Sequence, residues 1–261
     1  MRKIFIFLLL AINLSAFDGY LKWVGLVASD TKYSQQKLLK EMFWEKFEKE
    51  YRKNTKKGYV LTSIKYMNGK WIGVLSKNTP YKEIALVKKR YLSGLLKSTK
   101  EFNSHRFAMI DLAYGMSEWV AIYVKKSPYK MQSISYAKQW DNLVFIIKNR
   151  WKHGYKLIDI EHGGRKWVAL FAKGSGLKNQ LIFRKNSYQK LIKIVLNYTK
   201  DKGYKITKLD YGKGKWIAVL SKGFKYKRES IIKAYSYKDF VKEYEKMKKR
   251  KMFLIDLGYG F

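Results

Sequence analysis

The sequence predicts an α/β fold, a closed fivefold propeller of β-β-β-α repeats that are each about 48 residues long. Three observations lead to this prediction. A tryptophan-led apolar stretch recurs five times, a second strand-like stretch precedes it, and an amphipathic helical pattern follows it. A fixed period in this range is typical of repeat architectures, in which each unit is one supersecondary element that packs on its neighbours.

The tryptophan stretch is the most regular element of the repeat. Its first residues are Trp23, Trp71, Trp119, Trp167 and Trp216, at successive spacings of 48, 48, 48 and 49 residues. Because the stretch is apolar on both faces, it predicts a strand that is buried on both sides and lies innermost in the ring. Two positions after each tryptophan comes a small residue, which is the type that a crowded centre would require: Gly25, Gly73, Ala121, Ala169 and Ala218.

Two further strands and a helix complete the predicted unit. A strand-like stretch precedes the tryptophan, as at 58–66 and 154–162, and turn formers such as Asn68-Gly69 join the two into a hairpin. A third extended stretch follows the tryptophan strand and carries Gln or Glu at one position. A helix comes next, because apolar residues such as Leu191, Ile192 and Val195 recur at helical spacing.

The two ends of the repeat region are complementary. Residues 251–261 match the first strand of a hairpin without its tryptophan partner, whereas residues 17–29 form a tryptophan strand without a first strand. An unpaired edge strand is a liability that proteins avoid. We therefore predict that the N- and C-terminal strands pair and complete the fifth repeat, so that residues 17–261 form one domain. The alternative is an open solenoid, which would expose half a hairpin at each end.

The first sixteen residues have the pattern of a signal peptide. Arg2 and Lys3 precede an apolar run at 4–12, and small residues end at Ala16, after which we predict cleavage. The run is too short to span a membrane comfortably. The alternative is a buried N-terminal strand. With the signal removed, we expect a periplasmic or secreted monomer without a transmembrane span.

The composition is strongly basic and free of cysteine. Lys and Arg number 56 against 20 Asp and Glu, a net charge of +36 that becomes +34 without Arg2 and Lys3. Such a charge favours salt-sensitive binding to polyanions, although lysine as the default surface residue would give the same count. The lack of cysteine excludes thiol catalysis, cysteine-based zinc sites and disulfides. Neither a metal nor a cofactor is expected, since no nucleotide-binding loop, zinc-protease motif or nucleophile elbow is present.

A recurring lysine is the candidate binding site. Six residues after the tryptophan stand Lys77, Lys125, Lys173 and Lys222, with Ser29 in the remaining repeat. Symmetry would place these lysines around the axis, where several ammonium groups would bind a phosphate, sulfate or carboxylate. The alternative is four independent, solvated lysines at strand ends.

A recurring aspartate is the candidate catalytic site. Asp111, Asp159 and Asp256 share one position of the first strand, where the other repeats have Ser63 and Lys208. Neighbouring carboxylates would supply the acid and base of a hydrolase in an axial pocket. The lysine in the same column favours structural ion pairs instead. Four tyrosines in the loops after the tryptophan strands are expected to have exposed rings: Tyr33, Tyr81, Tyr129 and Tyr226.

Parts of the repeat resemble a known family. Gly58 to Ser63, residues 150–155 and Lys215 to Gly223 are similar to a repeat domain of unknown function at the C-terminal end of plant casein-kinase-like kinases, with the pattern Gly-Tyr-x-Ile-Thr-Ser followed by Trp-x-x-Val-x-Ser-Lys-Gly. The resemblance implies a domain that accompanies other activities, and it supplies no functional residues. In unit number and order the predicted fold also resembles the pentein architecture.

These observations favour an exported, non-enzymatic binding or scaffold module. Its basic surface would bind an anionic polymer or an acidic protein, such as an envelope glycan, a phosphate-bearing lipid or a nucleic acid. The alternative is the hydrolase with an axial pocket that contains Asp111, Asp159 or Asp256. A purely structural scaffold is the third possibility.

Overall fold

The protein consists of five three-stranded antiparallel sheets and five helices, and repeats a β-β-β-α unit. A computed structural model describes residues 20–224 and 226–261, so the predicted signal peptide at 1–16 lies outside the described residues. None of the helices in the described part is long and apolar enough to cross a membrane.

Each sheet has three strands, one of each of three kinds. The inner strands are β3 (Val60–Met67), β6 (Ala108–Gly115), β9 (Lys156–Gly163), β12 (Lys205–Gly212) and β15 (Phe253–Gly260). The Trp strands are β1 (Lys22–Ala28), β4 (Lys70–Ser76), β7 (Glu118–Lys125), β10 (Lys166–Lys173) and β13 (Lys215–Lys222). The outer strands are β2 (Gln36–Glu41), β5 (Lys82–Lys89), β8 (Met131–Ala137), β11 (Lys178–Lys185) and β14 (Glu229–Ala234).

A helix joins each outer strand to the inner strand of the same sheet. The helices are α1 (Trp44–Thr55), α2 (Leu92–Ser104), α3 (Trp140–Lys152), α4 (Tyr188–Asp201) and α5 (Tyr237–Lys249). The strand orders are β2-β4-β3, β5-β7-β6, β8-β10-β9, β11-β13-β12 and β14-β1-β15, which we number units 1 to 5. The extended stretch after a Trp strand therefore belongs to the next sheet along the chain.

The Trp strand lies in the middle of each sheet, so the prediction that it is innermost is wrong. Both faces of the Trp strand are apolar because each face is covered by a different part of the protein. On one face of unit 1, Trp71 and Leu75 pack with α1 and with the sheet of unit 2. On the other face, Ile72 and Val74 pack against unit 5.

The N- and C-terminal strands pair, as the sequence predicts. β1 lies between β14 and β15 and is antiparallel to both. Trp23 stands opposite Tyr259 on β15 and opposite Ala234 on β14. The fifth sheet therefore contains strands from both ends of the repeat region.

Neighbouring units meet through their inner strands and through a side-chain tie. β3 contacts β6 and β15, and β6–β9, β9–β12 and β12–β15 are the other inner contacts. The Gln132 side chain crosses from unit 3 to unit 2, where it accepts the Met109 N–H at 2.7 Å and donates to the Met109 carbonyl at 2.6 Å. Gln36 makes the same two contacts with Leu254, from unit 1 to unit 5.

The small residue of the Trp strand makes room for the helix, which corrects the prediction of a crowded centre. A Cβ atom on Gly73 would lie 2.8 Å from the Phe47 ring of α1, and one on Gly25 would lie 2.9 Å from the Phe240 ring of α5. In the other three units the residue is alanine and the helix offers the smaller leucine, in the pairs Ala121 with Leu95, Ala169 with Leu143 and Ala218 with Leu191. The residue sizes are therefore matched unit by unit.

Candidate functional site

The three predicted aspartates meet around a single lysine in the interior. The Lys208 Nζ lies 3.0 Å from Asp111 Oδ1, 3.0 Å from Asp159 Oδ1 and 2.8 Å from Asp256 Oδ1. The three aspartates are at most 2% exposed. The structure thus brings together all of the candidate catalytic residues, as an ion-paired cluster that we call the axial cluster.

Local backbone geometry directs these side chains. In every sheet the register of the inner strand shifts by one residue just before this position, at Thr62, Ile110, Ile158, Thr207 and Ile255. Such bulges re-aim the side chain that follows. Each carboxylate also accepts a backbone N–H from the preceding unit: Asp111 from Ile64 at 2.6 Å, Asp159 from Leu112 at 2.7 Å and Asp256 from Leu209 at 2.6 Å.

A second charged layer lies two residues further along the inner strands. Lys65 Nζ is 2.9 Å from Glu161 Oε2 and 3.0 Å from Asp210 Oδ2, and all three residues are buried. Burial alone would lower the pKa of Lys65, but Asp210 and Glu161 raise it well above its usual value. Sequence analysis missed this layer because only three of the five units carry a charge there.

The carboxylates of the two layers differ in pKa. Burial raises the pKa of Asp159 well above its usual value, and it raises that of Glu161 to about 7, in each case against the pull of a nearby lysine. For Asp111 the effect of burial is outweighed by Lys208 and Lys65, which lower the pKa. The cluster is thus held together by shared cations, which is the ion-pair role that Lys208 in the column predicts.

The carboxylates of the axial cluster are shielded from solvent. An acid and a base must reach the substrate or a water within hydrogen-bonding distance. Two surface pockets, described below, are lined by none of the three aspartates. The buried carboxylates therefore give no support to the hydrolase alternative.

The four loop tyrosines are half-buried, so the prediction of exposed rings is wrong. Burial, together with neighbouring Tyr226 and Asp111, raises the pKa of Tyr81 to about 12. The pKa of Tyr33 is also raised, first by burial and then by Tyr81, Tyr226 and Tyr129. These mutual effects place the four phenol groups together.

The four recurring lysines lie over aromatic rings of their own units. The Nζ atoms stand 4.8 Å above the ring centre for Lys77 on Tyr59, 5.0 Å for Lys125 on Phe107, 4.8 Å for Lys173 on Tyr155 and 5.0 Å for Lys222 on Tyr204. Lys125 also pairs with Glu83 at 2.7 Å. In the fifth unit Ser29 is buried and donates to Asp30 at 2.7 Å. Each lysine therefore has a local partner and remains half-exposed.

These lysines belong to one basic end of the molecule. The Trp strands end here. The helices also end here, because each helix leads from the end of an outer strand to the start of the inner strand in the same sheet. We define the loop face by the loops at 29–35, 77–81, 125–130, 173–177 and 222–228 and by the helix ends at 56–59, 105–107, 153–155, 202–204 and 250–252. In its described residues this face has fifteen Lys or Arg and a single acidic residue, Asp30.

The opposite end of the molecule has a smaller excess of basic over acidic residues. We define the turn face by the hairpin turns at 68–69, 116–117, 164–165 and 213–214 and by the helix starts at 42–46, 90–94, 138–142, 186–190 and 235–239. It has seven Lys or Arg and three acidic residues. Of the two ends, the loop face therefore carries the larger excess of positive charge.

One pocket of about 410 Å³ opens on the loop face. Three exposed cations line it, Arg106, Lys126 and Lys130, together with the polar Asn103 and Ser127. No carboxylate is among its lining residues. Arg106 and Lys126 both have positive φ angles, 63° and 59°, which mark tight turns on either side of the pocket.

Comparison with known proteins provides no further guide to this site. No protein-family model, curated protein or solved structure matches the chain. The resemblance to the plant kinase-associated repeat domain stays a prediction.

Proposed function

We propose that the five units form a closed propeller that acts, without catalysis, as an exported binding module for an anionic polymer or an acidic protein. The contacts of the inner strands support closure, because β15 touches both β12 and β3 and so joins the last unit to the first. The proposed export depends on the sequence pattern at 1–16, and it would place the partner outside the cytoplasm.

The observation that carries this proposal is the charge of the loop face. Fifteen cations stand there with one acidic residue, so most have no carboxylate to pair with. Cations in the last helical turn complement the helix dipole, but this effect does not extend to loop residues such as Lys32, Lys130 or Lys227. A surface of this kind attracts polyanions by releasing their counterions.

The loop face also offers a defined subsite. In the pocket between units 2 and 3, Arg106 and Lys126 stand beside Lys130, so one phosphate, sulfate or carboxylate group would meet several cations. Charge-assisted hydrogen bonds of this kind are roughly twice as strong as neutral ones. Envelope glycans, lipid phosphates and nucleic acids all carry such groups in series, and the recurring lysines would engage the neighbouring groups.

The test compares two variants of equal net charge. In the first variant, Arg106, Lys126 and Lys130 on the loop face are changed to Gln. In the second, Lys190, Lys213 and Lys238 on the turn face are changed to Gln. Binding to fluorescent heparin and to a single-stranded oligonucleotide is measured by anisotropy over a range of salt concentrations. Loss of three contacts should reduce the slope of log K against log salt by about 2 for the single strand.

The loop-face variant should bind at least tenfold more weakly than the wild type at low salt, whereas the turn-face variant should change little. Equal losses in both variants would mean that only the total charge matters. Affinity no greater than that of an unrelated lysine-rich protein of similar charge would reject the function itself.

A further inference from the structure

Four of the five units cover the repeat tryptophan with an aromatic residue from the helix. The first helical residue meets the tryptophan edge to face, with ring centres 5.1 Å apart for Trp44 and Trp71 and 5.0 Å apart for Trp140 and Trp167. Tyr188 with Trp216 and Tyr237 with Trp23 repeat the contact at 5.1 Å. In unit 2 the first residue of α2 is Leu92, so Trp119 has no such ring.

A cation from the next unit accompanies each of these four aromatic residues. Lys88 lies 5.3 Å from the Trp44 ring and Arg184 lies 4.7 Å from the Trp140 ring. Lys40 over Tyr237 and Lys233 over Tyr188 complete the set, at 3.8 Å and 6.0 Å. At the boundary of units 2 and 3 the residue in the same register is Tyr136. Both members of the cation–aromatic pair are therefore changed at one boundary.

A cavity of about 430 Å³ lies where these two changes coincide. Trp119 and Leu92 line its inner part, and two exposed rings, Tyr91 and Tyr136, line its mouth. Lys166 Nζ lies 5.0 Å from the centre of the Tyr136 ring. The Arg90 guanidinium lies 5.7 Å from the centre of the Tyr91 ring.

The lining of the cavity defines the chemistry that it accepts. Arg90 and Lys166 are its charged residues and no carboxylate is among them, so a bound group should be anionic. The remaining wall is mainly aromatic and aliphatic, and the volume is in the range of small-molecule sites. In the other four units the same space, next to the repeat tryptophan and a cation, holds a planar ring.

We propose that this cavity, the Trp119 pocket, binds a small aromatic anion. The ring of the ligand takes the place that Trp44 or Trp140 occupies in its own unit, against the edge of Trp119. The carboxylate or phosphate group of the ligand pairs with Arg90 and Lys166 at the mouth. The site lies on the turn face and is separate from the proposed polyanion site on the loop face.

The central experiment fills the Trp119 pocket with a larger side chain of the protein itself. A Leu92→Trp change restores the residue that units 1 and 3 carry at this position, so it should block the ligand without lowering the thermal midpoint. Binding of phenyl phosphate and of benzoate is measured by titration calorimetry and by saturation-transfer NMR. We expect at least a tenfold loss of affinity for both probes. Arg90→Gln should weaken binding by about tenfold through loss of a charge-assisted contact.

Three probes separate the parts of the proposal. Cyclohexanecarboxylate has the negative charge without the planar ring, and benzyl alcohol has the planar ring without the charge. Inorganic phosphate has the charge without any ring or carbon atom. Each should bind at least tenfold more weakly than phenyl phosphate. Equal binding of cyclohexanecarboxylate, or unchanged binding by the Leu92→Trp protein, would overturn the proposal. If neither phenyl phosphate nor benzoate binds to the wild type, the proposal is also overturned. This holds even where a tyrosine-containing acidic peptide binds instead.

The matched control is a second pocket of the same kind, created by substitution at another boundary between units. The boundary of units 3 and 4 already carries Lys138 and Lys215 in the places of Arg90 and Lys166. Changing Trp140→Leu and Arg184→Tyr there should create a second site and raise the stoichiometry for phenyl phosphate from one to two. A folded double variant that still binds one equivalent would show that these two positions do not define the site.

Discussion

The buried charged residues and the loop face handle charge in opposite ways. In the interior, Lys208 and Lys65 are surrounded by five buried carboxylates at 2.8–3.0 Å. On the loop face, cations outnumber acidic residues fifteen to one in the described part of the chain. Interior charges must be paired because isolated ions are costly to bury, whereas surface charges can remain unpaired in water. The comparison separates charges that stabilise the fold from those that are available to a partner.

Removal of the central cation should have the largest effect on stability. A Lys208→Leu change leaves Asp111, Asp159 and Asp256 buried without their shared ammonium group. Breaking a buried ion pair in this way costs about 3–5 kcal/mol of the unfolding free energy. Urea unfolding followed by circular dichroism measures this cost, with the exposed Lys215→Leu as the control on the adjacent strand. Similar losses in both variants would contradict the structural role of the axial cluster.

A purely apolar contact gives a reference for the charged interior. Gly73→Ala places a methyl group against the Phe47 ring and should destabilise the protein by about 1–3 kcal/mol. Adding Phe47→Leu recreates the alanine–leucine pair of units 2 to 4 and should recover part of the loss. A double-mutant cycle measures the coupling. If the two changes are additive, the residue sizes are not matched as described.

The pH dependence should also distinguish the interior from the surface. The pKa of Glu161 is about 7 in the folded protein against an ordinary value of 4.5, so the folded state binds more protons between these pH values. The unfolding free energy should therefore rise as pH falls from 8 to 5, by about 1–2 kcal/mol. The raised pKa of Asp159 acts in the same direction. The measurement is urea unfolding at several pH values, and Glu161→Gln should flatten the curve.

The smallest effect on stability is expected at the loop face. Changing Lys77, Lys125, Lys173 and Lys222 together to Gln removes four cation–π contacts, but exposed charges of this kind contribute little. The unfolding free energy should change by about 1 kcal/mol or less, while heparin binding weakens. A large loss of stability would assign these lysines to the fold. Unchanged heparin binding would favour the structural scaffold.

The repeat made much of the fold predictable from the sequence. The period, the hairpins, the helices and the pairing of the two terminal strands all follow from residues that recur near every 48 positions. The partner of the outer strand did not follow, because the side-chain pattern of Lys82–Lys89 shows how buried the strand is but not which sheet it joins. For the same reason a strand that is buried on both faces was mistaken for the innermost one.

The candidate sites were harder to predict, because they arise where the repeat is broken. The aspartate column was visible, and Lys208 in that column indicated ion pairing. Lys65 and its partners were not recognised, since their column also contains Ala113 and Gly258. Leu92 and Tyr136 are unremarkable in isolation. Their meaning depends on the contacts that the equivalent residues make in the other four units, which only the structure reveals.

The position of β1 between β14 and β15 has a consequence for synthesis. All six residues from Trp23 to Ala28 are opposite residues on both neighbouring strands, and all of these neighbours lie more than 200 positions later in the chain. Because both partners of β1 are synthesised long after it, the fifth sheet can form only once β14 and β15 have been made. Contacts of such long sequence separation slow folding. A circular permutant opened at 78–79, between β4 and β5, with a linker that connects β15 to β1, makes each sheet from one contiguous segment of chain. It should therefore refold faster than the natural order.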